Sequence, residues 1–426
     1  MLFSVSSDLP DSDNFNLLRQ LVHRQLLQIM EARGTEVIYD DHTLVQQIDW
    51  LINDIRKRRH QKLSRDEISR LRKEVVDEVR GLGPLAPLMA EPDISDILIN
   101  GPKEVWVDRG GRLMRTSIVF DDARHLRRIV DRMVMAQGKQ LDAASPSVDS
   151  KLPDGSRLHA VIEPLCANGP VVSIRRFRQH ALMDGELIEG GFLNEAMLAC
   201  LKLAVQARLN IVVSGGAAAG KTTFLNYLSG FIPDVERIVT VEETAELKLD
   251  HPHVVSLEAR APNLEGRGGV ALRDLVKTAL RMRADRIIVG EVRGEEAFDM
   301  LQAMNVGHDG SLTTIHANSA EDVLYRLESL VLMSDVRLPR DAVREMVGSA
   351  IRLVVHLTRF RDGQRRITSL REVVRDDDRT FTRELFAFKG RAVTRSGQVV
   401  GEHEQVNSPH FIEDLKQRGY LSPSSA

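Results

Sequence analysis

The chain has 426 residues, which at about 150 residues per domain predicts two or three domains. Hydrophobic residues make up 42% and charged residues 28%, so the composition is that of a globular protein and excludes a disordered or fibrous chain. Lys and Arg (58) against Asp and Glu (61) leave a net charge of −3, and aromatic residues are only 4%. Both values disfavour a nucleic-acid binder, which needs cations and stacking rings.

Cysteine content and the first residues indicate where the protein works. Two cysteines, Cys166 and Cys200, exclude a disulfide framework and a four-cysteine zinc site. The start of the chain is acidic where a signal peptide needs a basic region and an apolar core. No apolar run approaches the ~18 residues of a membrane span. We therefore expect a soluble, cytoplasmic protein without a transmembrane segment.

Residues 1–80 predict a segment of helices, because apolar residues recur at steps of three or four. The third helix opens with Ser64 and Glu67 at the spacing of a capping box. The basic run at 56–62 is interpreted either as a solvated helix end or as a contact with acidic lipid or a partner. The apolar positions are Phe15, Leu18, Val22, Leu26 and Ile29, then Leu44, Ile48, Leu51, Ile52 and Ile55, then Ile68, Leu71, Val75 and Val79.

The rest of the chain predicts an α/β protein in several parts. Residues 81–182 mix short strands with one helix, which indicates a small α/β domain. Residues 183–192 form a linker that ends near a glycine pair. Residues 193–375 alternate helices and strands, the pattern of a parallel sheet covered by helices. Residues 376–426 contain a hairpin (TRELFAFKG, then RAVTRSGQVVG) and a polar tail.

The strongest motif is a complete G-x-x-x-x-G-K-T, which follows a β-branched strand and opens a helix. Its glycines let backbone N–H groups approach phosphate oxygens, and the helix N-terminus adds partial positive charge. Lys221 can reach the β- and γ-phosphates, and the Thr222 hydroxyl can bind Mg²⁺. The predicted nucleotide-binding residues are Gly215, Gly216, Ala217, Ala218, Ala219, Gly220, Lys221, Thr222 and Thr223.

Two further strands of the same domain end in carboxylates. Glu242 and Glu243 follow one β-branched run, where a carboxylate can orient or deprotonate a water molecule. Glu291 and Arg293 follow another, where a carboxylate beside a P-loop strand holds Mg²⁺ or its water ligands. Either cluster alone would suit a solvated strand end. Because both share a domain with a P-loop, we predict that they act on the nucleotide.

His308 and His316 lie eight residues apart in GHDGSLTTIHANS. That spacing is wide for two metal ligands on one element, and no cysteine is near. A buried histidine pair remains one interpretation. The favoured one is that both histidines face the nucleotide and stabilise the charge of the γ-phosphate.

Four segments of the chain resemble, in order, the Walker A, Asp-box, Walker B and His-box of the secretion-motor ATPases: GGAAAGKTT, VEETAEL, RADRIIVGEVRGEEA and GHDGSLTTIHANS. This family serves type II and type IV secretion and type IV pili. Upstream segments are most similar to its CpaF-like branch, the ATPase of Flp (Tad, tight-adherence) pilus assembly: GLGPLAPLM, SDILINGP, KLPDGSR and SIRRF. The resemblance covers residues from about 80 to 375.

The resemblance implies an N-terminal domain joined by a short linker to a RecA-like ATPase domain, and six such subunits in a ring. ATP would lie between the two lobes, and Mg²⁺ would be bound through Thr222 and, by way of water, Glu291. Glu242 would correspond to the catalytic Asp-box glutamate. Arg157 and Arg175 would correspond to N-domain arginines that reach the phosphates, a contact that would couple lobe closure to nucleotide state. The expected partners are inner-membrane platform proteins.

The chain departs from the family pattern at two places. The usual P-loop reads GGTGSGKT, and here Ala217, Ala218 and Ala219 replace Thr, Gly and Ser. Ala218 stands where glycine takes a positive φ easily, so we predict a slightly strained loop that still binds ATP. Glu243 replaces the usual Asp, which keeps the charge.

The leading hypothesis is a cytoplasmic ATPase that powers assembly of a Flp/Tad-type pilus, or secretion, through a membrane platform. A second hypothesis is a RecA-like nucleic-acid translocase, such as a conjugation or competence motor. It is disfavoured by the net charge of −3 and the scarcity of aromatic residues. A third is a nucleotide-gated ring with negligible turnover, which the alanine-rich P-loop favours.

Overall fold

A computed structural model describes residues 11–33, 41–59, 63–79, 81–167, 169–176, 182–260, 262, 267–376, 379–395 and 397–417. It divides the chain into two compact units, Met1–Gln179 and His180–Ala426. None of the helices in these ranges combines the length and the apolar character needed to cross a membrane.

The first unit begins with helices α1 (Asp11–Arg33), α2 (Asp41–Arg58) and α3 (Arg65–Val79). The side chains that the periodicity predicted to share one face form their common core, with Val22, Ile48 and Ile52 fully buried. The predicted capping box is present: the Ser64 N–H donates to Glu67 Oε2 (2.7 Å), and the Glu67 N–H donates to Ser64 Oγ (3.1 Å). The prediction of a helical segment is confirmed.

The same unit continues with a six-stranded antiparallel sheet in the order β3-β2-β1-β6-β5-β4. Helix α5 (Ala123–Met135) packs on one face of it through Leu126, Ile129 and Val130. The short helix α4 (Ala86–Ala90) precedes the sheet. The strands are β1 (Ile94–Asn100), β2 (Val105–Arg109), β3 (Arg112–Arg115), β4 (Ser147–Lys151), β5 (Arg157–Val161) and β6 (Val171–Arg175). This is the predicted small α/β domain.

The second unit is built on a nine-stranded sheet in the order β15-β14-β13-β12-β7-β11-β10-β8-β9. Strands β12 through β9 in this order run parallel, and β13, β14 and β15 add antiparallel pairs at one edge. The strands are β7 (Ile211–Gly215), β8 (Ile238–Glu242), β9 (Val254–Glu258), β10 (Arg286–Val292), β11 (Leu312–Ile315), β12 (Leu353–Arg359), β13 (Arg365–Asp376), β14 (Arg379–Val393) and β15 (Val399–Gln405).

Helices cover both faces of this sheet, and two separate hydrophobic clusters lie between helices and strands. This is the parallel sheet, covered on both faces, that is expected of a RecA-like domain. Its strands are near-continuous apolar runs in the sequence because both of their faces are buried. The helices are α6 (Asp184–Glu189), α7 (Glu195–Gln206), α8 (Lys221–Ser229), α9 (Leu272–Ala279), α10 (Glu296–Asn305), α11 (Asp322–Leu332), α12 (Arg340–Ala350) and α13 (His410–Gln417).

At two places where the sequence predicted a linker or a turn, the structure has a helix or a continuous strand. Helix α6 lies inside the stretch 183–192 that the sequence predicted to be a linker. Strands β14 and β15 do form a hairpin, but β14 runs through Gly390 and Arg391, where the sequence predicted the turn. A register shift between Gly390 and Ala392, a β-bulge, accommodates that glycine within the strand. The C-terminal residues thus extend the main sheet instead of forming a separate hairpin.

Candidate nucleotide site

The P-loop connects the carboxyl end of β7 to the first residue of α8. Three of its residues have positive φ: Gly215 (151°), Ala218 (57°) and Gly220 (92°). A Cβ on Gly215 would lie 2.4 Å from the carbonyl oxygen of Leu357 on β12, so that position requires glycine. Ala218 adopts the left-handed conformation predicted for it, at a cost of about 1 kcal/mol relative to glycine.

The Lys221 side chain is buried inside this loop. Its Nζ donates to the carbonyl oxygens of Gly215 (3.2 Å) and Gly216 (3.1 Å), and it lies 3.3 Å from both ring nitrogens of His316. The next two residues, Thr222 (half-buried) and Thr223 (exposed), belong to the first turn of α8. The ammonium is therefore held at the mouth of the P-loop, where the phosphates of a nucleotide bind in such loops.

A continuous line of charged contacts runs from Lys221 along the carboxyl edge of the sheet. His316 follows β11, and its Nε2 lies 2.9 Å from Oε1 of Glu291 on β10. Arg293 donates to Glu291 Oε2 from Nε (2.9 Å) and Nη2 (2.6 Å), and from Nη1 to Glu243 Oε2 (3.2 Å). The structure thus brings together the P-loop, His316 of the His-box, the Walker B strand and Glu243 of the Asp-box.

His316 sits in a mainly cationic environment. Burial and the Lys221 ammonium lower the pKa of its imidazole, and the carboxylate of Glu291 partly opposes this shift. A neutral ring can accept a hydrogen bond from the Lys221 ammonium, whereas a protonated ring would repel it. The contact between His316 and Lys221 is therefore favourable above the lowered pKa.

Glu242 ends β8 and is only 3% exposed. Its Oε1 accepts from the N–H groups of Glu246 (2.8 Å) and Leu247 (2.9 Å), which fixes the orientation of the carboxylate. Burial raises the pKa of Glu242, although the two backbone donors oppose the shift. The side chain packs over Gly290 of β10, where a Cβ would lie 3.0 Å from Glu242 Cγ. A carboxylate with a raised pKa at a strand end is a suitable general base.

One buried carboxylate oxygen at this edge, Glu242 Oε2, has no hydrogen-bond partner among the described residues, and Glu291 Oε1 has only the 2.9 Å ion-pair contact with His316 Nε2. An orphaned buried oxygen of this kind is costly unless water or an ion satisfies it. A nucleotide with Mg²⁺ and ordered water in the P-loop would provide such partners, because Mg²⁺ retains several water ligands when it binds nucleotides. The residues present therefore fit ATP and Mg²⁺, with Thr222 and Glu291 as the predicted magnesium residues.

His308 lies away from this group, so the prediction that it faces the nucleotide is wrong for a nucleotide in the P-loop of the same chain. It precedes β11, at the amino end of the parallel strands, where Asn210 accepts from the N–H groups of Gly310 (2.8 Å) and Ser311 (3.0 Å). The P-loop lies at the carboxyl end of β7, about 15 Å away for a strand of this length. His308 therefore does not contact a nucleotide held in the P-loop of the same chain.

Arg157 and Arg175 belong to the first unit and are direct partners across the β5–β6 pair. Arg175 is largely exposed, and its Nε donates to Asp96 Oδ1 (3.2 Å) on β1. Lys151 of β4 faces Arg157 from the other side, so a row of three cations crosses the sheet. Like charges directly opposite one another destabilise a sheet, and an anion bound between them would relieve the repulsion.

Three features of the site were not found from the sequence. Glu296 Oε1 accepts from the N–H groups of Arg293 (2.6 Å) and Gly294 (2.8 Å) and shapes the turn after β10. His356 Nδ1 lies 2.9 Å from Ser214 Oγ in the P-loop strand. Arg365 Nε donates to the carbonyl oxygen of Ala218 (2.9 Å). Of the three, only the contact of Glu296 has a local signal in the sequence, the acidic GEEA turn. The contacts of His356 and Arg365 depend on strands that are distant in sequence from the P-loop.

A comparison of the sequence with models of protein families agrees with this nucleotide-site geometry. The model of the family described as "Type II/IV secretion system protein" matches residues 78–399. The chain belongs to this family. It is accordingly a secretion-system ATPase with a nucleotide-binding site. The match extends past residue 375, where the sequence resemblance was expected to end, and so includes β14.

Individual relatives agree with the family assignment. A protein of Mycobacterium tuberculosis (strain H37Rv) named "Putative conjugal transfer protein" is 41% identical over 299 residues, which cover 69% of this chain and 84% of that protein. Conjugal transfer protein TrbB of Rhizobium radiobacter is 30% identical over 295 residues, 68% of this chain and 86% of TrbB. The X-ray structure of the Yersinia pseudotuberculosis ATPase DotB is similar with a TM-score of 0.50, at 17% identity, over 82% of this chain and 83% of DotB. The likeness to DotB supports the fold.

Proposed function

We propose that this secretion-system ATPase is a motor that hydrolyses ATP to power assembly of a Flp/Tad-type pilus, or secretion of its subunits, through an inner-membrane platform. The observation that carries the hydrolytic part is the pair of carboxylates, Glu242 and Glu291, at the strand ends beside a P-loop, with Glu242 Oε2 buried and without a hydrogen-bond partner among the described residues. Resemblance of the segments upstream of the P-loop to the CpaF-like branch supports the pilus part.

The proposed reaction is in-line attack of water on the γ-phosphorus of ATP. Glu242 accepts a proton from the attacking water, the new bond forms between the water oxygen and phosphorus, and the bond from phosphorus to the β–γ bridging oxygen breaks. ADP and inorganic phosphate are the products. The backbone bonds to Glu242 Oε1 fix the carboxylate, which leaves Oε2 for the water.

Charge that develops on the phosphoryl oxygens is stabilised by cations of the chain. Lys221 exchanges its bonds to the carbonyl oxygens of Gly215 and Gly216 for bonds to the β- and γ-phosphates. His316 stays beside Lys221 and links it to Glu291. Mg²⁺, when bound through Thr222 and through water to Glu291, would neutralise phosphate charge. Arg293 and Glu243 adjust the orientation of Glu291.

Arg157 and Arg175 are proposed to bind the phosphates as well. Their direct opposition across β5 and β6 supports this role, since two guanidinium groups on one face of a sheet suit a multiply charged anion. Loss of the γ-phosphate would weaken that binding. Nucleotide state would thereby control the movement that the motor transmits to its platform.

The proposed assembly is a homohexamer in the cytoplasm, attached to the inner membrane through platform proteins. The surface of the three-helix segment α1, α2 and α3 is the proposed place for that attachment. Its α2 carries Trp50 with 58% exposure and ends in Arg56, Lys57 and Arg58. An aromatic residue and a basic helix end on one helix suit an acidic protein surface.

A second candidate is a motor for conjugal transfer, because the relatives described above carry that name. If nucleic acid itself is the substrate, single- or double-stranded DNA should stimulate ATP turnover in a salt-sensitive manner. The net charge of −3 supports the opposite expectation, that DNA has no effect.

The proposed function is tested in the source organism by deleting the gene and complementing with wild type, Lys221→Ala or Arg375→Ala. We expect pili or secreted subunits to return with wild type and Arg375→Ala and to remain absent with Lys221→Ala. Normal pili and secretion in the deletion strain would contradict the proposal. Loss of conjugation with pili intact would favour the second candidate.

A further inference from the structure

Arg365 is the first residue of β13 and reaches across to the P-loop. Its Nε donates a 2.9 Å hydrogen bond to the carbonyl oxygen of Ala218, the residue with φ of 57°. Its side chain also lies along Gly220, where an added Cβ would be 3.3 Å from Arg365 Cδ. One arginine thus contacts two of the three P-loop residues with positive φ.

The position of Arg365 follows from the topology of the sheet. Strand β12 runs parallel to β7, and Leu357 is the partner of Gly215 at the start of the P-loop. Strand β13 returns antiparallel to β12, which places Arg365 opposite Arg359 at the same edge. The antiparallel extension of the sheet is therefore tied to the phosphate-binding loop through this side chain.

The hydrogen bond from Arg365 restrains Ala218, the P-loop residue whose backbone conformation is least favourable. An alanine does not favour a positive φ, so the loop needs an external restraint to remain bent. The peptide unit that carries the Ala218 carbonyl also carries the Ala219 N–H, and in a trans peptide the two point in opposite directions. A donor that holds the carbonyl therefore also sets the direction of that N–H. In this structure the N–H makes a long bond of 3.4 Å to Gly216 O, which a phosphate oxygen can replace.

We propose that Arg365 is a positioning residue for ATP binding: it holds the alanine-containing P-loop in its bent conformation from the antiparallel extension of the sheet. Phosphate binding then depends on β13, an element outside the Walker, Asp-box and His-box segments. The role is specific to a loop with alanine at position 218, because glycine adopts the same φ without restraint.

The test is a double-mutant cycle of Arg365→Ala and Ala218→Gly, with Arg375→Ala as a matched control. Arg375 lies at the far end of β13 and pairs with Glu345 at 3.4 Å. For each variant, the dissociation constant of ATP and the rate of phosphate release are measured, and circular dichroism checks folding. If Arg365→Ala does not fold, Arg365→Met, which keeps much of the aliphatic side chain but removes the N–H donor, replaces it in the cycle.

We expect Arg365→Ala to weaken ATP binding on the order of tenfold, as for loss of one charge-assisted hydrogen bond, and Arg375→Ala to bind as wild type. In the Ala218→Gly background the loss should shrink to about threefold or less, because glycine removes the need for restraint. Equal losses in both backgrounds would overturn the proposal. So would wild-type affinity in Arg365→Ala, or an equal loss in Arg375→Ala.

Discussion

Arg157 and Arg175 lie directly opposite each other in the antiparallel β5–β6 pair. Two cations at such a position repel one another, and proteins avoid the arrangement when nothing is gained from it. Asp96 offsets part of the charge through its hydrogen bond with Arg175. The proposed binding of a multiply charged anion beside the two arginines would offset the remaining repulsion.

Replacing Arg157 with Gln should therefore separate function from stability. We expect ATP turnover to fall by about tenfold or more, because a charge-assisted contact to phosphate is lost, while the melting temperature stays the same or rises. Phosphate release and thermal unfolding of the same samples provide the two readings. The matched control is Arg112→Gln on β3 of the same sheet, which should retain turnover. A fall in melting temperature with unchanged turnover would show that Arg157 is structural.

Glu242 leads to a prediction on pH. Since burial raises its pKa, the carboxylate needed as base is lost at a higher pH than for an ordinary glutamate. Turnover should decline as pH falls through that raised value, and Glu242→Gln should have little turnover at any pH. A raised pKa also means that the ionised form costs stability above the unfolded pKa. At pH 7.5, Glu242→Gln should therefore melt at the same temperature as wild type or higher.

A pH–rate profile of wild type beside Glu242→Asp measures this effect. Aspartate keeps the charge but shortens the reach, so turnover should drop while an acid limb remains. The assignment of Glu242 as base fails if Glu242→Gln retains most of the wild-type turnover between pH 6 and 8.

His316 and His308 form a natural pair for comparison. His316 contacts Lys221 and Glu291, whereas His308 lies at the opposite edge of the sheet. We expect His316→Ala to reduce turnover by ~10- to 100-fold with a smaller change in ATP affinity, as for loss of a group that supports transition-state charge. His308→Ala should remain close to wild type in the same assay, because His308 does not contact the nucleotide held by its own chain. Similar losses in both variants would indicate that the His-box acts through folding.

The favourable contact of neutral His316 with Lys221 adds a pH signature. The lowered pKa of His316 means that the neutral ring persists below the usual histidine range and is lost only as pH falls further. Wild-type ATP affinity should thus hold through neutral pH and weaken in acid, and His316→Ala should lose that acid dependence. The dissociation constant of ATP as a function of pH measures both.

Much of this could be predicted from sequence, because local patterns determine it. The P-loop motif located the nucleotide site and the positive φ of Ala218, and helical periodicity identified the core residues of α1, α2 and α3. Each depends on residues close together in the chain. The strand ends at Glu242 and Glu291 were also visible, since parallel strands place their carboxyl ends at one edge.

What the sequence did not reveal depends on long-range pairing. Arg365 reaches Ala218 only because β13 returns beside β12, and no local pattern encodes that register. His308 was misplaced because a strand of only four residues, β11, separates it from His316 and puts the two histidines at opposite edges. The predicted turn at Gly390 failed for the related reason that a bulge absorbs a glycine within a paired strand.

The central claim is that this chain hydrolyses ATP at a site completed by Glu291. The most direct measurement is magnesium-dependent phosphate release by wild type and Glu291→Gln, with light scattering after size exclusion on the same samples with and without ATP. We expect wild type to turn over, Glu291→Gln to lose on the order of 100-fold or more while still binding ATP, and ATP to strengthen hexamers of both. Wild type that assembles with ATP but releases no phosphate would contradict the account and indicate a nucleotide-gated ring.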